Sequence, residues 1–172
     1  MRKKEINIYL LQETWDEGDY TQDLGGGYIL FHHNSRGKQD KTGVGIIIAP
    51  RIADVWRLDG SKPAVSIKQF EGRFIGISIK LPKSDLNGER VKDKWDRLLI
   101  ASVYHPYKKT HNAFNTELDD TLPKLSKDHD IIMGGDMNAQ VGRRRDSNPD
   151  SYEEVLGPYG LDSRNEKGRE TA

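Results

Sequence analysis

The apolar residues of this chain fall in short, β-branched runs cut to strand length by glycine and proline, and a chain patterned in that way is committed to building sheets. The first run, Ile6 to Leu11, leaves through Gln12-Glu13-Thr14-Trp15. Tyr28 to His32 follows the triple glycine Gly25 to Gly27, and Lys41 to Pro50 encloses a β-branched run that proline closes. Val65 to Lys68 and Phe74 to Leu81 alternate apolar with small or polar residues around a Glu71-Gly72 turn, the pattern of an antiparallel hairpin. A charged, solvated loop is expected from Lys83 to Lys94, then a buried strand from Leu98 to Tyr104 ending at His105-Pro106. One helix is expected, from Asn112 to Leu125, because Phe114, Leu118, Leu122 and Leu125 share a face; Pro123 should end or kink it early. After Ile131 to Met133 the chain turns hydrophilic and shows no further strand or helix pattern.

A length of 172 residues suits one domain with a real core. Its 27 basic and 27 acidic residues cancel, so net charge points to no polyanion partner, although local patches can still exist. Cysteine is absent, which excludes disulfides, thiolate metal sites and thiol nucleophiles, and leaves any metal to oxygen or imidazole. Ile6 to Leu11 is too short for a signal-peptide core or a membrane span, so the expectation is an intracellular protein, nuclear or cytoplasmic, and not secreted.

Three strands end on a polar side chain where the backbone leaves the sheet: Glu13, Tyr104, and the pair Asp136 and Asn138. Functional groups gather at such exits because a rigid strand fixes them while the loop admits a ligand. A carboxylate, a phenol and an Asp-x-Asn turn together hold what a hard cation and a phosphodiester require: an anionic oxygen, an acceptor for water, and neutral donors. Each also has a plainer role. Glu13 can be an acid at a helix N-terminus beside Thr14, Tyr104 a half-buried strand aromatic, and Asp136 with Asn138 an Asx turn. Their convergence is the expectation to be tested. His32, His33, His105, His111 and His129 are read as surface or loop residues.

Gln12-Glu13-Thr14-Trp15, Gly43-Val44-Gly45-Ile46, Val103-Tyr104-His105-Pro106 and Gly135-Asp136-Met137-Asn138-Ala139, in that order, resemble the motifs of the endonuclease/exonuclease/phosphatase superfamily. The last segment matches its G-D-[FM]-N-A signature. Within it, Asn138 to Gly142, Leu156 to Gly160 and Arg164 to Gly168 are similar to the endonuclease domains of LINE-type retrotransposons and of craniofacial-development-protein-2-like proteins. The resemblance implies an α+β fold, a two-layer sandwich of mixed β-sheets with helices outside, making four layers α/β/β/α. It also implies a catalytic set: Glu13 coordinating Mg²⁺ or Mn²⁺, Tyr104 donating to the scissile phosphate, Asp136 positioning or deprotonating the attacking water, and Asn138 holding that aspartate and the transition state. DNA or another phosphodiester is the implied substrate.

The chain also departs from that pattern. Asn7 sits too close to Glu13 to serve as the asparagine of the family's first strand, and nothing after Asn138 matches the family's closing Ser-Asp-His segment. The expectation is a single domain over residues 1–172, incomplete at its C-terminal end, with nuclease activity impaired or lost. Arg143, Arg144 and Arg145 supply phosphate contacts on the nuclease reading, or form a solvated cluster diluted by Asp146 and Asp150. The alternatives to a nicking DNA endonuclease are a phosphatase on a small or lipid phosphoester and a non-catalytic remnant that binds nucleic acid, metal or protein.

Overall fold

A computed structural model of the chain describes residues 6–34, 42–67, 72–84, 89–106 and 111–139. The chain divides into two compact units, Met1–Gly135 and Asp136–Ala172. Among the described residues eight strands and two helices follow in order: β1 (Ile8–Gln12), β2 (Tyr20–Gly25), β3 (Tyr28–His33), β4 (Val44–Ile48), α1 (Pro50–Leu58), β5 (Val65–Ser66), β6 (Phe74–Ser84), β7 (Arg90–Tyr104), α2 (His111–Leu125) and β8 (Asp130–Asp136). They form two four-stranded sheets, ordered β1-β4-β3-β2 and β5-β6-β7-β8. Every pairing with a described register is antiparallel. The expected α+β architecture of two sheets is therefore present.

Alternation builds the core between the sheets. Leu10 and Phe31 both stand opposite Ile46, and Ile8 and Ile29 opposite Ile48, so one face of the first sheet is a continuous apolar layer. Ile75, Ile77 and Ile79 of β6 and Ile100 of β7 meet it from the second sheet. Such side chains, every second one along a strand, share a face, and full burial of each is worth about 1.5–3 kcal/mol.

The structure corrects several expectations. Pro50, read as closing a strand, opens α1 at a position where its missing N–H costs nothing. That helix buries Ala53 and Trp56, with the indole edge-on to Phe31 at 5.0 Å and its Nε1 donating to Lys62 O at 2.9 Å. Strand β2 escaped notice because its Thr21-Gln22-Asp23 run is exposed; it is an edge strand that pairs with β3 and brings no apolar residue to the core. The stretch expected as a solvated loop from Lys83 to Lys94 belongs largely to the arms of the β6–β7 hairpin, registered out to Ser84 opposite Arg90. Cross-strand contacts outweigh the charge there: the Lys80 ammonium lies 4.7 Å from the Trp95 ring centre, the Arg90 guanidinium 5.2 Å, and Lys83 pairs with Asp96 at 3.1 Å. Nor does Pro123 end α2, which runs on to Leu125 with Ser126 N donating to Leu122 O at 2.8 Å. A proline so near the end forfeits one backbone hydrogen bond without stopping the last turn. Phe114 and Leu118 are buried, as their spacing requires. No helix among the described residues is long and apolar enough to cross a membrane.

Candidate active site

Strands β1 and β7 lie in different sheets, and a buried polar stitch joins them just before their ends. Ser102, fully buried on β7, donates to Leu11 O at 3.0 Å and accepts from Gln12 Nε2 at 2.9 Å. One residue beyond Gln12 and two beyond Ser102, the chain delivers Glu13 and Tyr104, and the Tyr104 hydroxyl donates to Glu13 Oε1 at 2.5 Å. Tyr104 is clamped further. Its backbone N donates to Arg73 O at 2.8 Å, and the Arg73 guanidinium lies 5.0 Å from its ring centre. The structure thus brings together two of the residues expected from the strand exits.

Glu13 and Trp15 are both left-handed, with φ of 52° and 55°, a conformation that costs a non-glycine residue about 1–2 kcal/mol. Such strain persists where the surroundings over-determine it, and it concentrates at functional sites. Here Thr14 N donates to Gly43 O at 3.3 Å and Trp15 N to Thr42 O at 3.1 Å, while Gly43 N donates to Gly72 O at 3.0 Å. Further along the loop, the Tyr20 hydroxyl donates to Asp16 Oδ2 at 2.5 Å. Burial, and then the Asp16 carboxylate, push the Tyr20 phenol up to about 12, whereas the hydrogen bond from Tyr20 holds Asp16 below the usual carboxylate range.

Of the histidines read as surface or loop residues, three are buried: His105, 2% exposed, lies in the loop after β7, whereas His32 and His33, 3% and 5% exposed, end β3 and, with Asn34, brace the loop that follows Glu13. Thr14 Oγ1 and His32 Nε2 are 2.6 Å apart, and His32 Nδ1 lies 2.9 Å from Gly18 O. His33 Nδ1 meets Asp19 Oδ1 at 2.6 Å, and Asn34 donates through its side chain to Asp16 O and through its backbone to Asp19 Oδ1. Sequence reasoning missed this brace. Its one signal is three polar residues in succession at the end of an otherwise apolar strand.

In the second unit the described residues are 136–139. Asn138 N donates to Asp136 Oδ1 at 2.8 Å and Asn138 has φ of 48°, so the segment is an Asx turn, which fixes one carboxylate oxygen and leaves the other to accept. Gly135, before it, is obligatory: φ is 155°, and a Cβ there would lie 1.9 Å from Val103 O. Arg143, Arg144 and Arg145 lie outside the described residues.

No group of three or more His, Asp or Glu side chains suited to a metal occurs among the described residues. The donor chemistry nonetheless fits Mg²⁺, which keeps most of its waters and takes one or two protein carboxylates together with substrate phosphate oxygens. Glu13 is exposed, and Oε2 has no hydrogen bond among the described residues.

The model of the endonuclease/exonuclease/phosphatase family matches residues 1–165 of the chain. Comparison with curated proteins and with solved structures gives no match.

Proposed function

The chain belongs to the endonuclease/exonuclease/phosphatase family, and from that premise we propose that it is a divalent-metal-dependent phosphodiester hydrolase that nicks DNA, resembling the endonucleases of LINE-type retrotransposons. The observation that carries this reading is the hydrogen bond between Tyr104 and Glu13, which joins the exits of two strands from different sheets. Glu13 is the metal ligand. Held there, Mg²⁺ or Mn²⁺ would supply positive charge to the phosphate oxygens of the substrate. Tyr104, held by Arg73, donates a hydrogen bond from its hydroxyl to a phosphate oxygen when substrate competes with Glu13 for it.

The Asx turn supports the roles of the other two residues. Asp136 orients a water molecule, or accepts its proton, with the carboxylate oxygen that the Asn138 amide does not hold. Asn138 fixes the aspartate through that amide and offers a neutral side-chain donor to the developing charge. Arg143, Arg144 and Arg145, following in sequence, bind phosphates without reading bases.

Nicking of supercoiled plasmid in Mg²⁺ or Mn²⁺ tests the proposal, with the wild type and Asp136→Ala compared at matched folding. Relaxation by the wild type that falls at least ~100-fold in the variant is the expected result. An intact plasmid alongside turnover of a small phosphoester would assign the site to a phosphatase. An inert wild type, folded and shifting its melting temperature with Mg²⁺, would identify a binding protein that does not catalyse.

A further inference from the structure

The loop from Glu13 to Asp19 is fastened to the end of β3 by three consecutive buried polar residues. An imidazole or amide is costly to bury unless its hydrogen bonds are made; His32 and His33 direct theirs at this loop, while Asn34 donates to it and accepts from the Thr42 hydroxyl at 2.7 Å. His33 Nε2 is buried without a hydrogen bond, so the ring's described polar contact is the one to Asp19. His32 contacts Thr14, the residue next to Glu13 in sequence. Gly18 O can only accept, so Nδ1 of the neutral ring carries the proton, and Nε2 accepts from the Thr14 hydroxyl. The Tyr20 ring, stacked on His32 at 4.6 Å, holds the imidazole in that orientation.

Gly43 supplies an independent sign that the place of the Thr14 hydroxyl is reserved. A Cβ on Gly43 would lie 2.2 Å from Thr14 Oγ1, and its φ of 117° excludes most other residues as well. The backbone of Gly43 in turn accepts from Thr14 N. Thr14 is therefore held at its amide by Gly43, just before β4, and at its hydroxyl by His32 of β3, and the strained residue on its N-terminal side is Glu13.

We propose that His32 is a positioning residue which, through the Thr14 hydroxyl, holds Glu13 in its left-handed conformation and so presents the carboxylate, already oriented by Tyr104, to a divalent cation. This rests on the reading of Glu13 as the metal ligand. It assigns the cation's affinity partly to a side chain that never touches it, as partners behind a ligand commonly do.

The test is Mn²⁺ binding to the protein without nucleic acid, followed by water-proton relaxation enhancement, with the melting temperature measured on each variant. Thr14→Val deletes the hydroxyl at nearly constant shape, and His32→Phe keeps a ring against Tyr20 while deleting both hydrogen bonds. Each is expected to weaken Mn²⁺ about 10-fold. His32→Gln, which retains an acceptor, should recover part of that loss, and the Thr14→Val, His32→Phe double variant should be no weaker than His32→Phe alone. Ile79→Val, a core change distant in sequence, should lower the melting temperature and leave Mn²⁺ affinity unchanged. Wild-type affinity in Thr14→Val and His32→Phe, with weakened binding in Glu13→Gln, overturns the role of His32 alone. Wild-type affinity in Glu13→Gln overturns the metal role of Glu13 and the inference with it. Should His32→Phe fail to fold, Thr14→Val decides.

Discussion

Single residues in the Glu13 loop carry consequences for pH. Tyr20 has its phenol pushed up to about 12, first by burial and then by Asp16, so the folded state favours the protonated ring relative to the unfolded chain. The stability this provides is fully present below pH 10, the ordinary value, and is lost as pH rises through about 12. Asp16 behaves in the opposite sense. Lowered chiefly by the hydrogen bond from Tyr20, it contributes above the ordinary carboxylate value of 3.8 and ceases to contribute as pH falls through its own lower one. Tyr20→Phe deletes both effects at once. In urea unfolding, the stability gap between wild type and Tyr20→Phe should narrow between pH 9 and pH 11.5. A gap that stays constant over that interval would mean that the phenol is not linked to folding.

At the scale of elements, the two helices and the long hairpin are tied to the sheets by different means, and one tie is ionic. Asp59, which caps the C-terminus of α1 and whose side chain is 8% exposed, accepts from both terminal nitrogens of Arg97 on β7, at 2.9 and 3.4 Å. Arg97 also donates to Ser78 Oγ at 3.2 Å, which lies 2.9 Å from His129 Nε2. Arg97→Leu should cost about 1–3 kcal/mol in denaturant unfolding, because a largely covered carboxylate loses its main partner and keeps only Lys62 at 3.8 Å, and adding Asp59→Asn should recover a large part. Recovery of nothing would place the cost in packing around the arginine stem instead.

These ties also explain what could be read in advance. Phe74 to Leu81, which alternates, and Leu98 to Tyr104, a continuous run buried on both faces, were legible because each pattern agrees with its burial. Strand β2 was not, since its stability comes from backbone pairing with β3, which leaves no trace in a polar edge sequence. Helix α1 was hidden by Pro50, a residue that punctuates strands and opens helices alike. At the site, Glu13 and Tyr104 were visible as polar residues at strand exits, whereas the bracing histidines were not. Whether an imidazole is solvated or buried depends on a loop arriving from far along the chain, as Gly18 does at His32 and Asp19 at His33.

Across the larger unit, the first sheet joins β2, β3 and β4 through successive neighbours and returns β1 to the far side of β4. Gln12 stands opposite Val44, so β1 can pair only after a long closed segment has formed. Loop closure of that kind is paid before its contacts give anything back, and β1 has β4 as its single neighbour in the sheet. Amide exchange under native conditions should therefore release β1 before β3 and β4; equal protection would place all four strands in one cooperative opening unit. The same geometry sets a schedule during synthesis. The segment that ends in Glu13 leaves the ribosome before its partner and must wait, unpaired, until β4 has been made, while β2 and β3 can form a hairpin as soon as they emerge. For that interval the stretch that carries Glu13 is open to proteases and chaperones. A translational pause placed before Val44 would lengthen its exposure, whereas one placed after Ile48 has emerged would not.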